Sequence, residues 1–429
     1  MDHQFSISKS RSITLGLVVA CVFFAWGVCA ALLPPFFPLE AKLKGASISQ
    51  SGSVFGIHGL SAFLTSPLFA KYGSKMNPAY VYIPGSAIQA VCTLLFGILA
   101  YIEHLWLFLT IAHILRMFIG MAIAGAWGSL LAVLLVLFPN STSKIVAATE
   151  LFYGAGYMLG PAFGGVLYNF GGFQLPFITI GLMAILFSLM LGYVTPNVNC
   201  TLEQEKGSIQ SSNMALIKAG GVILPFLDTF SSTFSLSMVE ATLGMHIRSI
   251  GGPQYVVNTV FFVCGGSYML GNIFAACIAD RLRYTSILSM IGNVGLVAAF
   301  TFMGPLPFIP MQNSVCILLW SIFGFGFFLS LNYVSSYKRA KDSAICNGFP
   351  RDTKTYHQLS GLWVSVTYMG YSFGPIIGGF VVEVWGFRYA TLVWTIFHAI
   401  LFTVDLCEFC YNIYHPGFIK KTAYTHIHE

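Results

Sequence analysis

Few residues of this 429-residue chain are ionisable, and those that interrupt its long apolar runs are where chemistry would be done. A charged side chain at the centre of such a run costs about 2.5 to 3.5 kcal/mol, so each needs a reason to be there. Glu240, in Val239-Glu240-Ala241-Thr242-Leu243, is the first choice: a carboxyl there can carry a proton or pair with an amine. The competing use is a structural pair with His246 or Arg248 near the same helix end. Glu150 lies about five residues into its run, about 7 to 8 Å from the end at helical rise, where an interfacial position competes with function. Asp228 sits in a long apolar window, and its depth depends on where that window starts. Arg116 and His113 are three apart and share a helix face; a buried arginine needs an acid partner, and such a pair can simply lock a bundle. His58 and His398 titrate within reach of an acidic compartment, although lone histidines in such runs more often bond a backbone carbonyl. Asp405 and Glu408 fall at the end of the last run and are expected at an interface. Aromatics make up 15% of the chain, and Trp26, Trp127, Tyr333 and Trp363 could box an organic cation, with packing and interface anchoring the commoner uses.

Those runs set the class of protein. Only 8% of residues are charged and 56% are hydrophobic, with a mean hydropathy of +0.77, so a soluble fold would lack a polar surface. Runs near twenty residues predict a polytopic helical protein of the lipid bilayer. The net charge of +6 is then a topology signal and implies no nucleic acid. Neither a Gly-rich phosphate loop followed by Lys-Ser/Thr nor a clustered His/Cys pattern occurs, which argues against an enzyme, a metal or another cofactor.

Twelve spans are expected: Ile13 to Phe36, Ser51 to Phe69, Tyr80 to Tyr101, Leu105 to Leu131, Ile145 to Phe170 and Leu175 to Val194, then Val222 to Ile247, Tyr255 to Ile278, Ile287 to Met303, Val315 to Val334, Leu359 to Val382 and Tyr389 to Tyr411. The first has no small-residue cleavage site and reads as retained. A polar stretch from Thr195 to Asn213 separates an N-terminal bundle, 1–194, from a C-terminal one, 214–429, with 195–213 as linker. Ser335 to His357 reads as a solvated, positively charged loop.

The two halves repeat. Gly156-Tyr157-Met-Leu-Gly160-Pro161-Ala-Phe-Gly164-Gly165 returns as Gly370-Tyr371-Ser-Phe-Gly374-Pro375-Ile-Ile-Gly378-Gly379, 214 residues later. Small residues let helices approach closely, and Gly-Pro in mid-span interrupts the backbone ladder where a helix can bend. Plain packing explains one such run; its recurrence in the fifth and eleventh spans points to a moving interface of the kind found where duplicated halves rock about a site. With both termini cytoplasmic, sixteen of the 21 Lys and Arg residues fall on that face and four on the other, with Arg116 inside a span. No cysteine then lies in a non-cytoplasmic loop, and the sequons at Asn140 and Asn199 should stay unmodified.

Glu150-x-Phe152-x-Gly154-x-Gly156-x-x-x-Gly160-Pro161-x-x-Gly164-Gly165 resembles the fifth-helix antiporter motif of the major facilitator superfamily. Arg116-x-x-x-Gly120 resembles that superfamily's arginine motif, and Ala279-Asp280-Arg281 its loop motif. Pro35-Phe36-Phe37-Pro38-x-Glu40-Ala41-x-x-Lys44-Gly45 and Thr355-Tyr356-x-x-Leu359-Ser360-Gly361-Leu362 look like the vesicular polyamine type of its vesicular amine branch. The first-half loop motif is reduced to Lys71-Tyr72-Gly73-x-Lys75 and lacks its acid, which puts that loop's gating role in doubt. Monoamine carriers of the branch place acids where this chain has Trp26 and Val364, and a lysine near His58, which argues against a monoamine or acetylcholine site. Glu240 resembles the branch's seventh-span acid, with Ala241 in place of the proline that follows it. The resemblance implies two pseudo-symmetric six-helix bundles. It also implies a monomeric, proton-coupled secondary transporter that exchanges protons for a polyamine or related organic cation in a secretory or synaptic-type vesicle membrane. A proton-coupled carrier of a neutral solute such as a sugar, and a non-transporting membrane sensor or scaffold, stay open as alternatives.

Overall fold

The computed structural model describes residues 9–72, 77–138, 142–195, 216–217, 220–279, 282, 285–311, 314–350 and 353–414. Among them, all regular structure is helical: α1 (Lys9–Ala31), α2 (Leu33–Leu43), α3 (Ile48–Tyr72), α4 (Ala79–Ile98), α5 (Leu105–Leu137), α6 (Thr142–Gly171), α7 (Gln174–Val194), α8 (Ile223–Ser249), α9 (Gln254–Ala279), α10 (Ser286–Met303), α11 (Val315–Cys346), α12 (Thr353–Trp385) and α13 (Phe387–Tyr414). Helices α1 and α2 form one span interrupted near Leu32, because Pro34 and Pro35 cannot donate the backbone bonds that would continue α1. Gly45, at φ +90°, ends that span in a left-handed turn. Counting α1 and α2 together, the described residues hold twelve spans. Eight meet the length and apolarity needed to cross a bilayer, and the other four, α3, α6, α8 and α12, are those rich in Gly, Ser and Thr.

Contacts divide the chain into two compact units, Met1–Glu205 with Glu240–Gly265, and Lys206–Val239 with Gly266–Glu429. In the first, α1 packs on α6 and α7, α4 on α5 and α7, and α3 on α5. Its core holds Phe36, Phe37, Phe96, Phe108 and Phe177, with Phe37 stacked on Phe108 at 5.6 Å. In the second, α10 packs on α11 and α13, and α12 also meets α13.

The repeated glycines are seated inside each unit. On α6, a Cβ at Gly160 would stand 2.8 Å from Ala31 Cβ, one at Gly164 2.7 Å from Leu32 Cδ2, and one at Gly165 would overlap the Asn258 amide. On α12, a Cβ at Gly370 would lie 2.9 Å from the Phe230 carbonyl oxygen, one at Gly374 would meet Ser237, and one at Gly378 would lie 3.0 Å from Met238 Cβ. Both helices run through Pro161 and Pro375, and Gly379 is buried on the second.

Helix α8 carries an unusual hydroxyl ladder. Thr229, Ser231, Ser232, Thr233 and Ser237 each bond a carbonyl three or four residues back, at 2.8 to 3.0 Å. In an apolar helix a hydroxyl needs such a partner, and the carbonyls of its own turn supply it.

One expectation is corrected here. Ser335 to His357 is mostly helix, because α11 runs on to Cys346 and α12 begins at Thr353. Ser335, Ser336, Arg339, Ala340 and Ala344 are buried along one stripe of α11, a helical spacing that a hydropathy window reads only as polar. Of the linker 195–213 only Thr195 is described, and residues 196–213, Asp280, Arg281, Gly73, Lys75 and both sequon asparagines lie outside the described residues.

Candidate functional site

Two polar centres emerge, one in each unit. The first is built on Glu240. Tyr157, on α6 and inside the repeated glycine run, donates its hydroxyl to Glu240 Oε1. The flanking glycine seats Tyr157: a Cβ at Gly156 would overlap the Phe24 carbonyl oxygen and lie 3.0 Å from Val28 N, so α6 lies directly against α1. Arg116 is the cation whose field reaches Glu240, and Tyr153 acts on the same guanidinium. Its carbon stands 5.9 Å from the Phe55 ring centroid, and its Nε finds no hydrogen-bond partner. His58 is bonded to the main chain of Arg116, the ordinary role for a histidine in a span. His113 bonds the Leu109 carbonyl at 2.7 Å and Ser53 Oγ at 2.9 Å. Of the two residues named as competing structural partners for Glu240, His246 and Arg248, the second is bonded to Gln254.

A file of aromatic rings leads to this acid. Phe23 contacts Trp26 and Trp127, each at 5.0 Å; Trp127 meets Tyr153 at 5.0 Å; and Tyr153 lies 6.4 Å from Tyr157, which holds Glu240. Trp26 is buried and donates from Nε1 to Ser86 Oγ at 3.3 Å. Ring faces attract cations, and a carboxylate at the end of the file supplies the full countercharge. Glu150 stands exposed on α6, two turns before Tyr157. The aromatics named from sequence thus separate into two groups, because Tyr333 packs on Trp363 at 4.6 Å in the other unit, where Tyr337 joins them.

The second centre was only partly visible in the sequence. Arg339 of α11 donates Nη1 to Asp228 Oδ2 at 2.6 Å and pairs through Nη2 with Asp405 Oδ1 at 2.8 Å and with Glu408. Asn293 of α10 donates to Asp228 Oδ1 at 3.3 Å and to Asp405 Oδ2 at 2.8 Å. His398 meets Asn293 Oδ1 at 3.0 Å and Ser235 Oγ at 2.9 Å, so it is held by side chains and not by a carbonyl. Asp405 is corrected: expected at an interface, it is 0% exposed, because α13 turns it inward onto Arg339. Glu408, one turn on, keeps 22% of its side chain exposed at the rim. Sequence reasoning missed Arg339, Asn293 and the role of Tyr157. The i, i+3 spacing of Asp405 and Glu408, matched to the small-residue stripe around Arg339, was the available signal.

The described residues contain no group of His, Cys, Asp and Glu able to hold a metal ion. Comparison with known proteins bears on the family and the fold. The chain is 26% identical over 394 residues to the MFS-type transporter SLC18B1 of Homo sapiens, covering 91% of this chain and 83% of that protein. It is 23% identical to Multidrug resistance protein 1 of Bacillus subtilis, covering 90% and 94%. Among solved structures, the nucleoside transporter NupG superposes with a TM-score of 0.73 at 13% identity, over 93% of this chain and 99% of that one. A bacterial homolog of the human lysosomal transporter Spinster, inward-facing and occupied, also gives 0.73 at 13%, over 94% and 97%. The family model described as Major Facilitator Superfamily matches residues 15–348, and this chain, a multi-pass membrane transporter and not an enzyme, belongs to that superfamily.

Proposed function

We propose that this transporter exchanges protons for a polyamine or a related small organic cation across an intracellular vesicle membrane, with both termini cytoplasmic and the monomer as the working unit. The observation that carries the reading is the file from Trp26 through Trp127, Tyr153 and Tyr157 to Glu240. In this reading a protonated amine moves along these aromatic side chains towards a carboxylate that supplies its countercharge. Exchange requires only that proton and amine compete for that carboxylate, and alternating access follows when each ligand stabilises a different state. The Gly-Pro segments of α6 and α12 are the places at which each half can flex. The resemblance to SLC18B1 and to a multidrug resistance protein supports a transported organic solute.

The test is uptake into reconstituted proteoliposomes under an imposed pH gradient, with labelled spermidine, a nucleoside and a sugar in parallel. Gradient-driven accumulation of spermidine alone is the expected result. Accumulation confined to the neutral solutes would replace the amine reading with that of a proton-coupled carrier of neutral solutes.

A further inference from the structure

We propose that the buried cluster of Asp228, Asp405 and Glu408 around Arg339 is a proton-binding site of the transport cycle, separate from Glu240; this rests on the proton-coupled reading above. One guanidinium faces three carboxylates, and Glu408 alone reaches the surface. If all ionise, Asp228, Asp405 and Arg339 leave one uncompensated negative charge where both acids are 0% exposed. A buried ion without its counterion carries a desolvation penalty of about several kcal/mol, and the cluster escapes it by binding one proton. A fully ionised lock would need equal numbers of each sign.

The geometry supports the same conclusion. Asp228 and Asp405 are held alike: each takes one Nη of Arg339 and one bond from the Asn293 amide. Two carboxylates on one cation and one donor each raise the cost of ionising the other, so a proton on either relieves the pair. One acceptor in the cluster is left over, because Asn332 Oδ1 lacks a hydrogen-bond partner although the residue is 0% exposed. Asn332 joins the cluster by donating to Asn293 Oδ1 at 3.0 Å.

The charged groups acting on Asp228 from the neighbouring helices are Arg339, Asp405 and Glu408, and those acting on Asp405 are Arg339 and Glu408. His398 bonds Asn293 and Ser235; Lys341 of α11 lies over the Tyr356 ring; and Lys338 and Asp342 are half-buried on α11. Glu408 bonds the same Nη2 as Asp405 and is the member of the cluster that reaches the surface. Protonation of either aspartate weakens the hold of Arg339 on α8 or α13. Helix α8 also bears Glu240, so both acids ride on one element.

Asp228→Asn and Asp405→Asn, made singly, mimic the protonated state. In proteoliposomes, gradient-driven spermidine accumulation should fall about tenfold or more, while spermidine–spermidine exchange without a gradient should stay within about twofold, since exchange moves no net proton. Variants that accumulate spermidine at the parental level overturn the site, as do folded variants that lose both activities together. A parental protein that exchanges spermidine but builds no gradient-driven pool overturns proton coupling itself, and this site with it. If the variants fail to fold, infrared difference spectra of the unsubstituted protein, acidic minus alkaline buffer, decide the matter. A buried carboxylic acid band that persists in Glu240→Gln is expected, and its absence overturns the proposal.

Discussion

Gly156→Ala adds one methyl group, and the structure says where it goes. The new carbon would overlap the Phe24 carbonyl oxygen, 2.9 Å from Phe24 C and 3.0 Å from Val28 N. These are backbone atoms of α1, so no side chain can swing aside. Relief requires α6 to retreat by roughly 1 Å, and a gap of about 0.5 to 1 Å already forfeits a quarter to a half of each facing dispersion contact. The expected cost is about 1 to 3 kcal/mol, the range for overpacking a tight site. Tyr157, the next residue, moves with α6 and loses its hold on Glu240, a bond to a charged group that contributes about 1.5 to 3 kcal/mol. Gly128→Ala on α5 is the same chemical change with nothing within 4 Å of the new carbon, and should gain about 0.5 to 1 kcal/mol from helix propensity. Thermal unfolding of purified protein in detergent, followed by tryptophan fluorescence, should rank Gly128→Ala, parent and Gly156→Ala in falling order. A Gly156→Ala protein that melts with the parent would refute the account of α1 and α6 in direct contact.

Other outcomes follow from the same geometry. Tyr157→Phe keeps the ring and removes one donor, so spermidine uptake should fall about tenfold in proteoliposomes, whereas Glu240→Gln should abolish gradient-driven uptake and still yield folded protein; parental uptake by Glu240→Gln would make that acid structural. Arg339→Gln leaves two buried carboxylates without their cation, at about 3 to 5 kcal/mol, and the folded peak on size exclusion should collapse, with Asp405→Asn in the same chain restoring part of it. Parental yield from Arg339→Gln alone would contradict the ion cluster. Glycan should be absent from Asn140 and Asn199 in expressing cells, and its detection by mass spectrometry at either site would reverse the proposed orientation.

The spans were legible because apolar runs and their breaks are local, so α7 and α10 fall within a residue of the expected limits. The repeat was legible because glycine spacing survives where other residue types drift. Arg339 was not, since its helix outlasts its apolar run and its partners lie more than sixty residues away, on α8 and α13. Glu240 was found as an acid out of place, but its partner was not, because Tyr157 reads as one aromatic among many until α6 is laid against α8.

The hydroxyl ladder of α8 has a consequence for hydration. Each hydroxyl is satisfied by its own helix, so the helix can be buried with no polar debt to its neighbours. The same hydroxyl can rotate towards water, exchanging its bond to the carbonyl for one to solvent while the N–H to C=O bonds of the helix stay intact. Such a helix tolerates a dry neighbour and a wet one almost equally, as the alternating access proposed above would require of the element that bears Glu240.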